Sequence, residues 1–345
     1  LGLAACGSDD DGGGSASSGD GGSNKPPIKL MAIASVDSPI QNYPDIPAGA
    51  EAAVKAINAK GGINGQQIEF EFCNNQADAN KAVACVRQAV EEKFTAVVGH
   101  MDIFTPQTMP ILENGGVPSV GMATSGNPID LSSKISYPLS GGTLTMYMAL
   151  PSGLKQLGDK RIASVAADLP SALSNSDLVK EEAEKIGLDY AGTIKIPTTG
   201  VTDYSPYAEQ IRRLKADAIV MITTPAQTQG VIKAAAGLGI KVRIAHNSFA
   251  FGETEAATLG DASEGIVVAS PYPSYHAEDI PAIKQFNEEM KAAGKTETIQ
   301  LRTAGVNAWT AVHAIEAVAK EIDGDVTAES LRAALDKASN VDVLG

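Results

Sequence analysis

Four histidines, His100, His246, His276 and His313, and three cysteines, Cys6, Cys73 and Cys85, are the residues of this 345-residue chain best suited to chemistry. His100 and Asp102 stand at alternate positions at the end of the apolar run "AVVGHMD". They would make a general-base pair only with a nucleophile in reach; otherwise they are two neighbours on one strand face. His246 ends a second strand-like run, "VRIAHNS", so His100 and His246 both stand where α/β proteins place ligand contacts. His313 falls inside a helix-period run and reads as core or surface filler. The chain has no Gly-rich phosphate loop and no strand-borne G-x-S-x-G elbow. "GLGIK" at Gly237 follows a helix, as a helix stop does. These residues favour contact with a ligand over turnover, and a hydrolase reading would need activity that vanishes when His100 or His246 is replaced.

The N-terminal stretch "LGLAACGSDDDGGGSASSGDGGSNKPP" joins a short apolar run and a cysteine to about twenty residues that cannot build a core. Leu3, Ala4, Ala5 and Cys6 resemble the lipobox of bacterial lipoproteins, in which the cysteine is lipidated. Residues 1–6 are therefore expected to be the end of a signal peptide with Cys6 as the lipid anchor, and residues 7–27 a flexible linker. The rest of the chain would then lie outside the cell membrane, held to it by the acyl chains.

An exported chain sits where disulfides persist. Cys73 ends the alternating run "QQIEFEFC" and Cys85 lies in the helix-like "DANKAVACVRQAVEEK". A loop folding that helix back onto the strand would bring the two within bridging distance, so a Cys73–Cys85 disulfide is expected. No histidine shares their neighbourhood, so no metal is expected there, and no cofactor is implied elsewhere.

The formal net charge is −14, from 27 Lys and Arg against 41 Asp and Glu. No basic stretch offers phosphates a counter-charge, which argues against nucleic acid. No later apolar run approaches the ~18 residues that a membrane-spanning helix needs. About 320 residues follow the linker, too many for one compact core, which points to two lobes.

Strand-like and helix-period stretches alternate through most of the chain. "IKLMAIAS" leads to "AGAEAAVKAINAK", "IEFEFC" to the Cys85 helix, "FTAVVGH" to "TPQTMPILENGG", and "VPSVGM" closes the first set. A helix over 144–157 opens a second set containing "RIASVAA", a helix over 177–186, "YAGTIKI", "SPYAEQIRRLKA", "AIVMITT", "QTQGVIKAAAGLG", "VRIAHNS" and "EGIVVAS". Ser205 and Pro206 read as a helix start capped by the serine hydroxyl. In "NAKGGINGQ", Gly61 and Gly62 stop a helix and Asn64–Gly65 makes a turn. Helices over 281–291, 306–321 and 328–338 bring no sheet of their own and are expected to return to the first lobe. The pattern is α/β: two doubly wound parallel-sheet lobes with a ligand cleft between them.

"GAEAAVKAINAKGGINGQQIEF", "DANKAVACVRQAV", "AVVGH", "TDYSPYAEQIRRLKADAIVM" and "LGDASEGIVVASPY" together resemble the extracellular solute-binding proteins of ABC importers, in the branch typified by leucine/isoleucine/valine-binding protein. The resemblance runs from about Ile28 to Lys320. It implies a type I periplasmic-binding fold, two lobes joined by a multi-strand hinge, and no enzymatic activity. The expected division is 28–141 plus 272–340 for the N-terminal lobe and 142–271 plus 341–345 for the C-terminal lobe. The family continues with strands that complete the second lobe, whereas this chain stops at "SNVDVLG", so a truncated C-terminus is expected.

The resemblance also implies a ligand set. Tyr43 matches an aromatic residue that covers the ligand. Where amino-acid binders carry a carboxylate-gripping serine, "GHMDIFTP" offers Asp102 and Ile103. The next carboxylate contact survives in part as Met122 and Thr124, with Ser125 adjacent. On the second lobe a family tyrosine corresponds to about Ser171, a second to Thr223 or Thr224, and the acid that pairs the ligand's ammonium to about Asn247, beside His246. Loss of the serine and the acid weakens the amino-acid reading, because a buried charge left unpaired costs several kcal/mol. The expected ligand is therefore a neutral polar or aromatic small molecule, captured by a monomer that delivers it to an ABC permease. Two alternatives stay open: a ligand-sensing lipoprotein that passes closure to a regulatory partner, and a branched-chain amino acid binder with a rearranged site.

Overall fold

A computed structural model describes residues 25–299 and 303–343. Cys6 and most of the expected linker lie outside the described residues. At the linker's end, Lys25 Nζ donates to the Asn64 carbonyl and Gln66 Nε2 to the Pro26 carbonyl, so this end is fastened to the first lobe.

The first lobe alternates strand and helix: β1 (Ile28–Ala34), α1 (Asp45–Ala59), β2 (Ile68–Asn74), α2 (Ala79–Glu91), β3 (Ala96–Val98), α3 (Thr105–Gly115), β4 (Ser119–Val120), the short α4 (Ile129–Ser132) and β5 (Ser136–Tyr137). The second repeats the plan with α5 (Gly142–Gln156), β6 (Arg161–Ala167), α6 (Pro170–Lys185), β7 (Asp189–Ile196), α7 (Ser205–Leu214), β8 (Ala218–Ile222), α8 (Pro225–Gly237), β9 (Arg243–Asn247), α9 (Glu253–Leu259) and β10 (Val267–Ala269). Then come α10 (Pro281–Ala292), α11 (Thr296–Ile299), α12 (Ala304–Ala319) and α13 (Ala328–Leu335).

Both sheets are parallel, ordered β2-β1-β3-β4-β5 and β7-β6-β8-β9-β10. The same order arises twice, and in each lobe the order reverses direction beside the first strand, the place where open α/β sheets bind ligands. β1 is buried along almost its whole length, while β2 alternates because it is an edge strand. The expected two-lobed doubly wound fold is what forms.

Phe286, Met290, Trp309, Val312 and Leu331 from α10, α12 and α13 share one apolar core with β1 and α1. α12 crosses α1 so closely that a Cβ on Gly49 would stand 2.1 Å from the Gly305 carbonyl oxygen. Asp45 Oδ2 accepts the Gly305 N–H at 2.7 Å at the same crossing. Val341 and Asp342 lie in a groove beside α12 and α13.

Cys73 and Cys85 form the expected disulfide, joining β2 to α2 with Cα atoms 5.8 Å apart. Asn64 and Gly65 make the expected turn with φ of +51° and +78°, and Ile63 and Gln66 exchange hydrogen bonds across it. The start of α7 differs from expectation. Ser205 lies inside the helix, and the Asp203 carboxylate accepts its N–H at 2.9 Å, so the acid two residues upstream does the capping. α6 begins at Pro170, seven residues before the periodicity suggested, because proline fits a first helical turn.

Candidate functional site

Segments that follow the carboxyl ends of strands in both sheets line one interlobe cavity of about 100 Å3. The first lobe contributes residues after β1, β3 and β4; the second contributes residues after β6, β8 and β9, with α5 and α6 forming walls. Among the sequence candidates, Tyr43, Ile103, Ser125, Ser171, Thr224 and Asn247 line this cavity. Asp102, Met122, Thr124 and His246 do not.

Each of those four has an internal occupation. Asp102, 1% exposed, accepts the Phe104 N–H at 2.8 Å and the Thr108 hydroxyl at 3.0 Å, so its carboxylate fastens the start of α3. Met122 packs in the core between β1, α2 and α3. Thr124 donates to the Gly141 carbonyl at 2.6 Å and accepts no place in the cavity wall. His246 Nδ1 accepts the Asn247 N–H at 2.9 Å, which puts the ring proton on Nε2, 3.3 Å from the Thr228 hydroxyl. His246 therefore sits behind the wall, stacked on Phe251.

His100 is fully buried with Nε2 3.7 Å from Asp102 Oδ2, and neither ring nitrogen has a hydrogen-bonding partner among the described residues. The pair therefore has no nucleophile to activate. No group of three or more His, Cys, Asp or Glu side chains stands close enough to hold a metal ion among the described residues, and no helix among them is long and apolar enough to cross a membrane.

The wall residues are held by hydrogen bonds of their own. Thr224 caps α8, its Oγ1 accepting the Gln227 N–H at 3.3 Å while Gln227 Oε1 accepts the Thr224 N–H at 3.1 Å. Ser125 gives both its N–H and its hydroxyl to Asp130 Oδ2, at 2.7 and 3.1 Å. Burial pushes the Asp130 carboxyl above its ordinary range despite the hydrogen bonds from Thr105 and Ser125 that favour the charged form. Asn247 Nδ2 donates to the Tyr147 hydroxyl oxygen at 2.7 Å. Burial pushes the Tyr147 phenol well above its ordinary range, so it stays a neutral donor and acceptor.

Tyr147 and Asn175 are cavity residues that the sequence reading missed. Both project from helices, α5 and α6, whose apolar periodicity gives no sign that one turn of each faces the other lobe. Asn175 Nδ2 donates to the Ser125 carbonyl at 3.3 Å and Ser174 Oγ to the Gly126 carbonyl at 3.4 Å, which brings α6 of the second lobe against the first lobe.

Hydrogen bonds also bind the hinge. The chain crosses between lobes from β5 to α5 and from β10 to α10. Asn307 Nδ2 donates to the Gly121 carbonyl at 2.6 Å, and Asn307 Oδ1 accepts from Tyr272, whose phenol burial pushes up to about 12. Ser248 and Thr303 hydroxyls are 2.6 Å apart, joining the end of β9 to the start of α12.

Two parallel α/β lobes with a cavity at the facing carboxyl ends of their strands define a type I periplasmic-binding fold. The chain matches the periplasmic binding protein family over residues 27–345 and belongs to it. It is 22% identical over 300 residues to the Leu/Ile/Val-binding protein of Citrobacter freundii, covering 84% of this chain and 78% of that one. A substrate-binding periplasmic protein from Ralstonia solanacearum superposes with a TM-score of 0.81 at 18% identity, covering 92% and 91%. An ABC transporter solute-binding protein from R. palustris, solved in complex with benzoate, superposes with a TM-score of 0.78 at 19% identity, covering 92% and 88%. This protein is an extracytoplasmic binding protein and not an enzyme.

Proposed function

We propose that this protein captures a neutral polar or aromatic small molecule between its lobes and hands it to its ABC permease. One observation carries the choice of ligand: among the described residues, no Asp, Glu, Lys, Arg or His side chain lines the cavity. An α-amino acid brings an ammonium and a carboxylate, each of which needs a charged or fully hydrogen-bonded partner once water is excluded. Tyrosines, threonines and asparagines suit a ligand without charge. The volume, about 100 Å3, favours a small solute. Among the relatives one is named for Leu, Ile and Val and another was solved with benzoate, so this fold takes an aromatic ring as well as an amino acid.

The closed arrangement is favoured by contacts the ligand makes only there, so binding shifts a population between open and closed forms. Cys6, lipidated, would hold a monomer near its permease on a leash of about 25 Å, raising its effective concentration there. A thermal-shift screen of amino acids, aromatic acids, amides, polyols and purines, followed by calorimetry, tests the ligand. Tight binding of leucine or valine overturns the neutral-ligand reading. Mass spectrometry of protein from native membranes tests the anchor, and an unmodified Cys6 overturns it.

A further inference from the structure

The second-lobe wall of the cavity carries one unmatched polar atom. Asn175 is 4% exposed and lines the cavity, yet its Oδ1 is buried with no hydrogen-bonding partner among the described residues. The orientation of the amide is fixed by its surroundings. Nδ2 faces the Ser125 carbonyl at 3.3 Å, and a flipped amide would set two acceptors against each other. Ser125 is itself clamped by Asp130 through two hydrogen bonds, so the first-lobe side of this contact is firm. Gly126 leaves the amide its space: a Cβ there would stand 2.8 Å from Asn175 Oδ1.

An asparagine in this position does two things when the lobes meet. Its Nδ2 closes the cleft on the first lobe, and closure strips water from its Oδ1. A buried acceptor left without a donor is penalised, whereas the same atom in an open, wet cleft is not. The closed form is thus incomplete until something in the cavity offers a hydrogen.

We propose that Asn175 selects the ligand: its Oδ1 accepts an N–H or O–H from the bound molecule, so the cleft takes neutral ligands that carry a donor, such as primary amides and alcohols. This rests on the solute-binding reading above and narrows it. Tyr147, a neutral hydroxyl held in place by Asn247, supplies the complementary donor for the carbonyl or hydroxyl oxygen of such a ligand. A carboxamide, with an oxygen and an N–H side by side, satisfies both.

The test is calorimetry on the full chain with matched probes: benzamide against N,N-dimethylbenzamide, and benzyl alcohol against benzyl methyl ether. The wild-type protein is expected to bind the donor-bearing member of each pair roughly 10- to 100-fold more tightly, the ratio that follows from leaving one buried acceptor unpaired. In Asn175→Ala that ratio is expected to fall to about 1. Circular dichroism confirms that the variant is folded. Equal binding within each pair, or an unchanged ratio in Asn175→Ala, overturns the role of Asn175 while leaving solute binding standing. Binding of benzoate alone overturns the donor rule, and binding of leucine alone overturns the neutral-ligand reading on which it rests. No binding by any of these, with none from the wider screen, overturns both readings together.

Discussion

Asn247 Nδ2 donates a 2.7 Å hydrogen bond to the Tyr147 hydroxyl oxygen, and Asn247 Oδ1 accepts the backbone N–H groups of Phe249 and Ala250 at 3.0 Å each. One side chain at the end of β9 thereby fixes both a cavity tyrosine and the turn that leaves the second sheet. That turn carries Phe249 into the core of the first lobe. Cavity and hinge therefore share a hydrogen-bond network, and a ligand resting on Tyr147 bears on the segment that couples the lobes.

Tyr147→Phe removes the acceptor and strands the Asn247 amide in a dry site. The expected loss of stability is about 1–3 kcal/mol, read from urea unfolding. Asn247→Ala, which also frees two backbone N–H groups of the turn, is expected to cost more. A Tyr147→Phe protein with wild-type stability would show that the bond carries no net weight.

The disulfide closes a loop with a sequence separation of 12. By loop-closure entropy, opening it lets the unfolded chain gain freedom worth about 3 kcal/mol. Cys73→Ser with Cys85→Ser should lower stability by that order, and dithiothreitol should do the same to the wild type. An unchanged midpoint on reduction would mean that α2 is held to β2 by packing alone.

Much of the fold was legible because parallel strands buried on both faces leave continuous apolar runs, such as "IKLMAIA" and "AIVMI", which nothing else in the chain imitates. β5 escaped because two residues, Ser136 and Tyr137, carry no period. Site residues were legible where they follow strands, since strand ends in this fold converge on the cleft. Parity and local caps decided which of them reach it: Asp102 turns back to α3 while Ile103 faces the cavity. Asn175 was not legible, because its role depends on the other lobe meeting α6.

His313 links two carboxylates, with Nε2 2.9 Å from Glu289 Oε2 and Nδ1 2.9 Å from Glu316 Oε2. Burial pushes both carboxyls up, but hydrogen bonds outweigh it, from His313 and Gln285 to Glu289 and from Lys320 and His313 to Glu316, and both end below their ordinary value. A carboxyl whose folded pKa is depressed adds stability above its unfolded pKa, about 4.3, and loses it as pH falls through the folded value. These two carboxylates should therefore keep adding stability until the pH falls below the unfolded carboxylate range. In His313→Ala the two glutamates lose that support, so acid unfolding followed by circular dichroism should begin at higher pH. Coincident acid curves for the two proteins would remove this network as a source of stability.

Gly126 has a φ of +108°, and a Cβ there would stand 2.8 Å from Asn175 Oδ1 and 3.0 Å from its Nδ2. Gly126→Ala therefore acts twice, straining the backbone by about 1–3 kcal/mol and wedging the cleft at the point where α6 meets the first lobe. Gly239 separates the two effects: its φ is +64°, and a Cβ there meets nothing within 4 Å. Gly239→Ala should lower the melting temperature without touching solute affinity. Gly126→Ala should lower both, and its X-ray scattering should show a larger radius of gyration than the wild type, because the wedge favours the open form. If Gly126→Ala binds solute as the wild type does, the contact between the Gly126 loop and Asn175 is not part of closure.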